Sequence, residues 1–245
     1  MNRFFIDKIE IRDNIVLFND SEQLHHLRDV LRIKLLEKVA VFDNSGNEYI
    51  VSVSEINSLS ARFEIIEKKQ HGDLGIKITV ACAIPKKVKM DDIIDKLTQL
   101  GVECVIPIET ERVIVKLDKQ KKVERLERWT KVALSATKQS QRSKLPIIKP
   151  ICDLKDVVLT SNSFDLKLIP TLEGKRKTLK ELFNGALKKI DTVMVLIGPE
   201  GDFTPEEIAL AEGAGFLPVT LGAQVLRVDT AAIAVASFIK LNENH

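Results

Sequence analysis

Two stretches of this 245-residue sequence carry the residue types that chemistry needs. The first is Leu196-Ile197-Gly198-Pro199-Glu200-Gly201-Asp202-Phe203, and the second is Leu221-Gly222-Ala223-Gln224-Val225-Leu226-Arg227-Val228-Asp229-Thr230. Each follows an apolar, strand-like run and leads into a helix-like run. Gly198 and Gly201 let backbone approach a ligand closely. Glu200 and Asp202 oppose a phosphate, which wants N–H groups and positive potential. A phosphate-free ligand with ribose hydroxyls or a positive charge suits such a loop, and S-adenosylmethionine has both features. In the second stretch Arg227 can pair with a neighbouring acid or meet a ligand. Asp229 or Thr230 is expected to cap the helix that follows. Val225 and Leu226 wall an apolar pocket or pack in the core.

Such loops work when parallel strands present them side by side at their carboxyl ends. From about residue 77 the sequence alternates strand and helix patterns. Strands are expected at 77–84, 102–108, 164–169, 192–197 and 217–221. Helices are expected from Met90 to Leu100, ending at Gly101, and over 121–142, 178–188, 204–213 and 230–241. Val123, Leu126, Thr130, Ala133 and Ala136 or Thr137 mark the apolar face of the long one. Thr204, Pro205 and Glu207 read as N-cap, N1 and the acid of a capping box. The grammar predicts a largely parallel sheet with helices on both faces. The final helix, with Ala231-Ala232-Ile233-Ala234-Val235-Ala236, is apolar all round and implies cover on every side. A second copy of the chain supplies that cover most simply.

The first 71 residues read differently, as a small β-rich unit. Lys38–Asp43 and Glu48–Val53 form strands about the turn Asn44-Ser45-Gly46-Asn47, and 62–67 another. Residues 21–32 read as a helix starting at Ser21, with His25, His26, Arg28 and Arg32 opposite Leu24, Leu27 and Leu31. His71 to Gly75 is the candidate linker.

Composition bounds the rest. Hydrophobic residues make up 44% and charged residues 29%, as a chain with a real core requires. The net charge of +2 neither demands nor excludes nucleic acid. Cys82, Cys104 and Cys152 are dispersed, which disfavours zinc or a disulfide framework and suits core thiols in a reducing cytoplasm. The early charges Arg3, Asp7, Lys8 and Glu10 interrupt any signal-peptide apolar core. The longest apolar run, Ala231 to Ile239, is too short for a membrane span. A cytoplasmic protein is expected, with no metal.

The sequence resembles the RsmE family of ribosomal RNA methyltransferases, of the SPOUT class. The match runs through Ile197-Gly198-Pro199-Glu200-Gly201, Leu221-Gly222, Val225-Leu226-Arg227 and Asp229-Thr230-Ala231. Along the rest of the chain it includes Arg3-Phe4-Phe5, His26 with Val30-Leu31-Arg32, Lys86 through Lys89-Met90, and Lys96 with Leu100-Gly101-Val102. Pro107 with Glu111-Arg112, Arg128-Trp129, and Gln139-Ser140 with Arg142 and Pro146 complete the set. The family usually has Gly where Asp202 stands, and Arg, Thr and Glu where Gln224, Val228 and Asp229 stand.

The resemblance implies an α/β fold: a knotted SPOUT-type methyltransferase domain with a parallel sheet over 72–245, preceded by a small PUA-like β-barrel for RNA over 1–71. It implies methylation of uracil N3 in 16S ribosomal RNA, with the small ribosomal subunit as partner and a homodimer formed through the knotted domain. It adds Pro170 and Thr171 as a third loop. S-adenosylmethionine is then expected on Pro170, Thr171, Ile197, Gly198, Pro199, Glu200, Gly201, Leu221, Gly222, Val225 and Leu226. Arg227 and Asp229 are the catalytic candidates. Arg3, Arg28, Arg32, Lys86, Lys89, Arg112, Gln139 and Arg142 are candidates for RNA contact. Two rivals stay open: an inactive RNA-binding or ribosome-assembly protein of the same fold, and a methyltransferase for another RNA base.

Overall fold

The computed structural model describes residues 1–6, 9–70, 75–85, 89–112, 117–184 and 189–242. It separates into two compact units: Met1–Leu74 with Thr137–Leu145, and Gly75–Ala136 with Pro146–His245. Of the expected linker, residues 71–74 lie outside the described residues.

The first unit contains β1 (Arg3–Phe5), β2 (Ile11–Arg12), β3 (Ile15–Phe18), α1 (Ser21–His25), β4 (Lys38–Phe42), β5 (Asn47–Ile56) and β6 (Ala61–Gln70). Its sheet runs β1-β4-β5-β6-β3-β2, antiparallel except for β1 on β4. Three strands separate β1 from β3 in that order, yet Phe4 and Phe18 meet edge to face at 5.8 Å. The sheet therefore curls until its distant strands share one core, which also holds Leu24, Leu27, Val39, Val51 and Phe63. Register shifts after Ile50 and Val53 in the long β5–β6 ladder supply local bending. The segment 137–145 is tied here by hydrogen bonds from Arg3 to the Arg142 carbonyl (2.8 Å), Lys138 to Gln23 (3.2 Å) and the Leu145 N–H to Asn44 (3.0 Å).

The expected helix over 21–32 is shorter and less regular. Asp20, not Ser21, is its cap, accepting from the Gln23 N–H at 2.8 Å. After His25 the chain takes a π turn over His26–Val30, and Arg32 then adopts φ 52°. Leu27 stays buried while the backbone leaves the α-helical path.

The second unit contains β7 (Lys77–Ala83), α2 (Lys89–Gln99), β8 (Cys104–Glu109), α3 (Lys119–Gln139), β9 (Ile147–Ile148), β10 (Cys152–Asp153), α4 (Leu154–Leu159), β11 (Leu166–Pro170), β12 (Lys177–Thr178), α5 (Leu179–Asn184), β13 (Thr192–Ile197), α6 (Pro205–Gly213), β14 (Leu217–Thr220) and α7 (Val228–Leu241). The last three residues of α3 pack with the first unit. The sheet runs β10-β8-β7-β13-β11-β14-β12, with β9 also on β8, and its paired strands are parallel. Ala81, Ala83, Met194 and Leu196 face a cluster completed by Leu154, Val157 and Val158 of α4 and Ala211 of α6. Strand alternation turns Cys82, Val195 and Ile197 to the opposite face. There α7 packs on β7 and β13 and against α2.

Two connections lie at the carboxyl end of this sheet. The chain leaves β11, spans 171–176 and returns as β12 on the far side of β14. From β14 it must travel back through 221–227 to start α7 over β7 and β13.

The buried stripe of α3 is Trp129, Ala133, Ala136 and Thr137, whereas Val123 is 56% exposed. Trp129 takes over because its ring packs inward and its Nε1 donates to Asp91 on α2 (3.2 Å). Arg128 grips the same carboxylate at 2.8 Å. Gly101 closes α2 at φ 82°, a left-handed position natural to glycine.

Candidate active site

The loops after β11, β13 and β14 converge on a cavity that opens to solvent. Of the residues expected to hold a cofactor, Pro170, Thr171, Ile197, Gly198, Pro199, Glu200, Leu221, Gly222, Val225 and Leu226 line it. Gly201 does not; its carbonyl faces outward and accepts from Arg112 Nη1. Leu172, Arg176, Asp202, Thr220, Gln224, Val228 and Ala231 complete the wall.

Local chemistry explains the loop that follows β13. A Cβ on Gly198 would stand 3.1 Å from the Phe203 ring, so the Phe203 anchor in the core demands a glycine there. Asp202 sits at φ 60°, a region that Asp tolerates better than most residues. Its N–H donates to the Pro199 carbonyl at 3.0 Å. Its carboxylate accepts from the Phe203 N–H (2.8 Å) and from the Leu172 N–H of the neighbouring loop (2.9 Å). Beyond it, Thr204 and Glu207 form the expected capping box, and Pro205 opens α6. Glu207 also accepts the Glu111 N–H at 2.8 Å.

The other two loops are also fixed internally. Thr171 is buried and its hydroxyl donates to the Glu173 carbonyl at 3.1 Å. Arg176 Nη1 donates to the Thr171 carbonyl at 2.9 Å. After β14, Gly222 adopts φ 122°. The Thr220 hydroxyl accepts from the Gly222 N–H at 3.3 Å.

The second loop departs from expectation at its end. Arg227, with extended backbone, is the N-cap residue of α7, and neither Asp229 nor Thr230 fills that place. The Arg227 carbonyl already accepts the Ala231 N–H at 2.8 Å, so helical geometry begins at Val228. Asp229 falls in the first turn, where a negative charge suits the helix dipole. Arg227 is exposed and Asp229 half-buried; neither lines the cavity, whereas Val228 between them does. Cys82 lies beneath this region. Burial pushes its thiol well above the ordinary range, and the nearby charges of Asp229 and Glu200 push it further.

These features fit S-adenosylmethionine. The cavity lining, among the described residues, offers apolar walls, the carboxylates of Glu200 and Asp202 for positive charge, and the guanidinium of Arg176. Among the described residues, no cluster of three or more His, Cys, Asp and Glu is placed to hold a metal. None of the described helices is long and apolar enough to cross a membrane.

The RNA candidates scatter. Arg3 turns inward: its guanidinium pairs with Glu48, with side-chain exposures of 10% and 6%, and lies 4.9 Å from the centre of the Phe42 ring. It is a core cation and not an exposed one. Arg28 is tied to Asp29 by two bonds of 2.7 Å, and the Asp29 carboxyl is held down to about 2, chiefly by that pairing. Arg32 and Gln139 are exposed, and Arg142 is half-buried. Arg112 reaches the Gly201 carbonyl and, at 3.4 Å, the Phe203 carbonyl, so it braces the loop after β13. Lys86 lies outside the described residues, and for Lys89 only the backbone, in α2, is described. Arg176 escaped sequence reasoning; the basic run Lys175-Arg176-Lys177 so close to Pro170-Thr171 was the available signal.

Comparison with known proteins matches this arrangement. An RNA methyltransferase domain family covers residues 73–240, and an RNA methyltransferase PUA domain family covers 18–66. Ribosomal RNA small subunit methyltransferase E from Mesomycoplasma hyopneumoniae is 34% identical, over 95% of this chain and 96% of its own. The protein of the same name from Bacillus subtilis is 27% identical, over 98% and 96%. A crystal structure of ribosomal RNA small subunit methyltransferase E from Neisseria gonorrhoeae, bound to S-adenosylmethionine, superposes with a TM-score of 0.86 at 28% identity, covering 98% of this chain and 97% of that one. A Legionella pneumophila protein solved with S-adenosylmethionine as bound cofactor gives 0.86 at 30% identity, covering 98% and 96%. The chain thus belongs to the ribosomal RNA small subunit methyltransferase E family, with an RNA methyltransferase domain and a PUA domain.

Proposed function

We propose that this enzyme transfers a methyl group from S-adenosylmethionine to N3 of a uridine in 16S ribosomal RNA. The observation that carries the reading is the convergence of three loops on one cavity that holds two carboxylates, one guanidinium and apolar walls. Residues 1–71 serve as the PUA-like RNA-binding domain and 72–245 as the catalytic domain, with the segment 137–145 contributing to the first. Arg32, Gln139 and Arg142 contact the RNA backbone. The protein works in the cytoplasm, where ribosomal subunits are its substrate.

S-adenosylmethionine supplies an electrophilic methyl group when bound. Uracil N3 carries a proton, and its lone pair is delocalised into the imide. The chain must therefore align the base, accept the proton and stabilise the negative charge that spreads over O2 and O4. Arg227, at the exposed start of α7, is suited to the last task. Asp229, two residues further on in the first turn of α7 and half-buried, accepts the proton or orients Arg227. Val225, Leu226 and Val228 give the cavity wall its apolar face beside them.

A second copy completes the molecule. Ile233, Ala234, Ser237 and Phe238 of α7 are incompletely covered in the single chain and carry no charge. We assign that stripe to a homodimer, and light scattering that gives the mass of one chain would overturn the assignment. The function itself is tested by mapping 3-methyluridine in 16S ribosomal RNA from a strain lacking the gene. One uridine should lose its methyl group and regain it when the gene is restored; an unchanged map defeats the reading.

A further inference from the structure

We propose that Arg176 is the recognition residue for the carboxylate of the methionyl moiety of the cofactor. The inference rests on reading the cavity as the S-adenosylmethionine site. Among the described residues that line the cavity, Arg176 alone is cationic, whereas Glu200 and Asp202 are anionic. The methionyl end of the cofactor is itself polar in the same sense, with a carboxylate on one side and an ammonium and a sulfonium on the other. A wall with acids on one loop and a guanidinium on another orients that group.

The guanidinium is placed in advance. Nη1 is spent on the Thr171 carbonyl at 2.9 Å. Thr171 is buried and bonded to Glu173, and Leu172 is bonded to Asp202, so the start of the loop that positions Arg176 is fixed, and its end is held where Lys177 pairs with Val219. The guanidinium has five N–H donors in a planar fork that matches a carboxylate. One anchored edge leaves the other free to meet the ligand. Lys175 and Lys177, on either side, do not line the cavity. They are exposed and suit solvent or RNA.

The test compares S-adenosylmethionine with its decarboxylated analogue, which keeps the adenosine, sulfonium and amine and lacks the carboxylate. Calorimetric titrations use the full chain and the Arg176→Gln and Arg176→Lys variants. The native chain should prefer the intact cofactor by about tenfold, the scale of a charge-assisted bond. Arg176→Gln should lose about that factor for the intact cofactor and bind both ligands alike, while Arg176→Lys keeps part of the preference. Thermal unfolding should be unchanged in both variants, because the residue is exposed. Equal affinity of native and Arg176→Gln protein for S-adenosylmethionine overturns the inference. So does a loss confined to ribosomal RNA affinity, which would assign the residue to a phosphate. If the native chain binds neither ligand, the cofactor reading fails and takes this one with it.

Discussion

The Asp202 carboxylate accepts the Leu172 N–H at 2.9 Å, so a side chain from the loop after β13 holds the backbone of the loop after β11. The latch joins two of the three segments that form the cavity. It comes with a left-handed backbone at Asp202, φ 60°, that glycine adopts without strain. Asp202→Gly should therefore keep or raise thermal stability while weakening S-adenosylmethionine by about fivefold, the worth of one hydrogen bond. Asp202→Asn, which tolerates the same φ but keeps only one of the two acceptor oxygens and loses the charge, should fall between the native chain and Asp202→Gly. Calorimetry on the three proteins decides; unchanged affinity in Asp202→Gly would show that the latch is idle.

Arg112 separates a brace from an RNA contact. Its bonds to the Gly201 and Phe203 carbonyls predict that Arg112→Ala loses about threefold to tenfold in cofactor affinity. The slope of log affinity for ribosomal RNA against log salt should stay as it was. A phosphate contact would behave oppositely, lowering that slope by about one with cofactor binding intact.

Arg3 predicts a stability effect. Truncation to Ala leaves the Glu48 carboxylate, 4% exposed, facing an apolar core without its partner. The first unit should lose about 3 kcal/mol, the usual cost of breaking a buried pair. Arg3→Met combined with Glu48→Leu should recover most of it, because both charges then leave together. Urea unfolding followed by Tyr49 fluorescence measures this, and a loss below about 0.5 kcal/mol in Arg3→Ala would contradict the buried pairing.

The thiols predict a pH dependence. Burial raises the Cys82 thiol, and raises Cys104 from its ordinary 9.0 to about 11. A group whose folded value is raised contributes fully below its unfolded value and loses that contribution as pH climbs past it. Stability should thus hold to about pH 9 and fall above it. At pH 8 a thiol reagent should spare Cys82 and Cys104 in the native chain and label all three cysteines in denaturant. Rapid native labelling of Cys82 would refute its burial beneath the site.

Local rules read much of this molecule correctly from sequence. The capping box at Thr204 and Glu207 needs three neighbouring residues and was plain. The strand and helix alternation from Lys77 onward was plain for the same reason. Missed features depend on distance or brevity. The strands at 11–12, 147–148, 152–153 and 177–178 have two residues each, too few to show a period. Arg3 looked like a surface cation because Glu48 and Arg142 lie far along the chain. Arg176 enters the cavity only because the chain turns back across β14. Arg227 displaced Asp229 as cap because the backbone bond from Ala231 sets the helix start, and no side-chain preference opposes it strongly enough.

The most direct test is transfer by the purified protein. Small ribosomal subunits from the deletion strain are incubated with the enzyme and methyl-labelled S-adenosylmethionine, and the RNA is digested to nucleosides for mass spectrometry. The expected result is one label per subunit, in 3-methyluridine, with Arg227→Ala slowing transfer far more than it weakens cofactor binding. Label in another nucleoside, or none despite bound cofactor, would contradict the account.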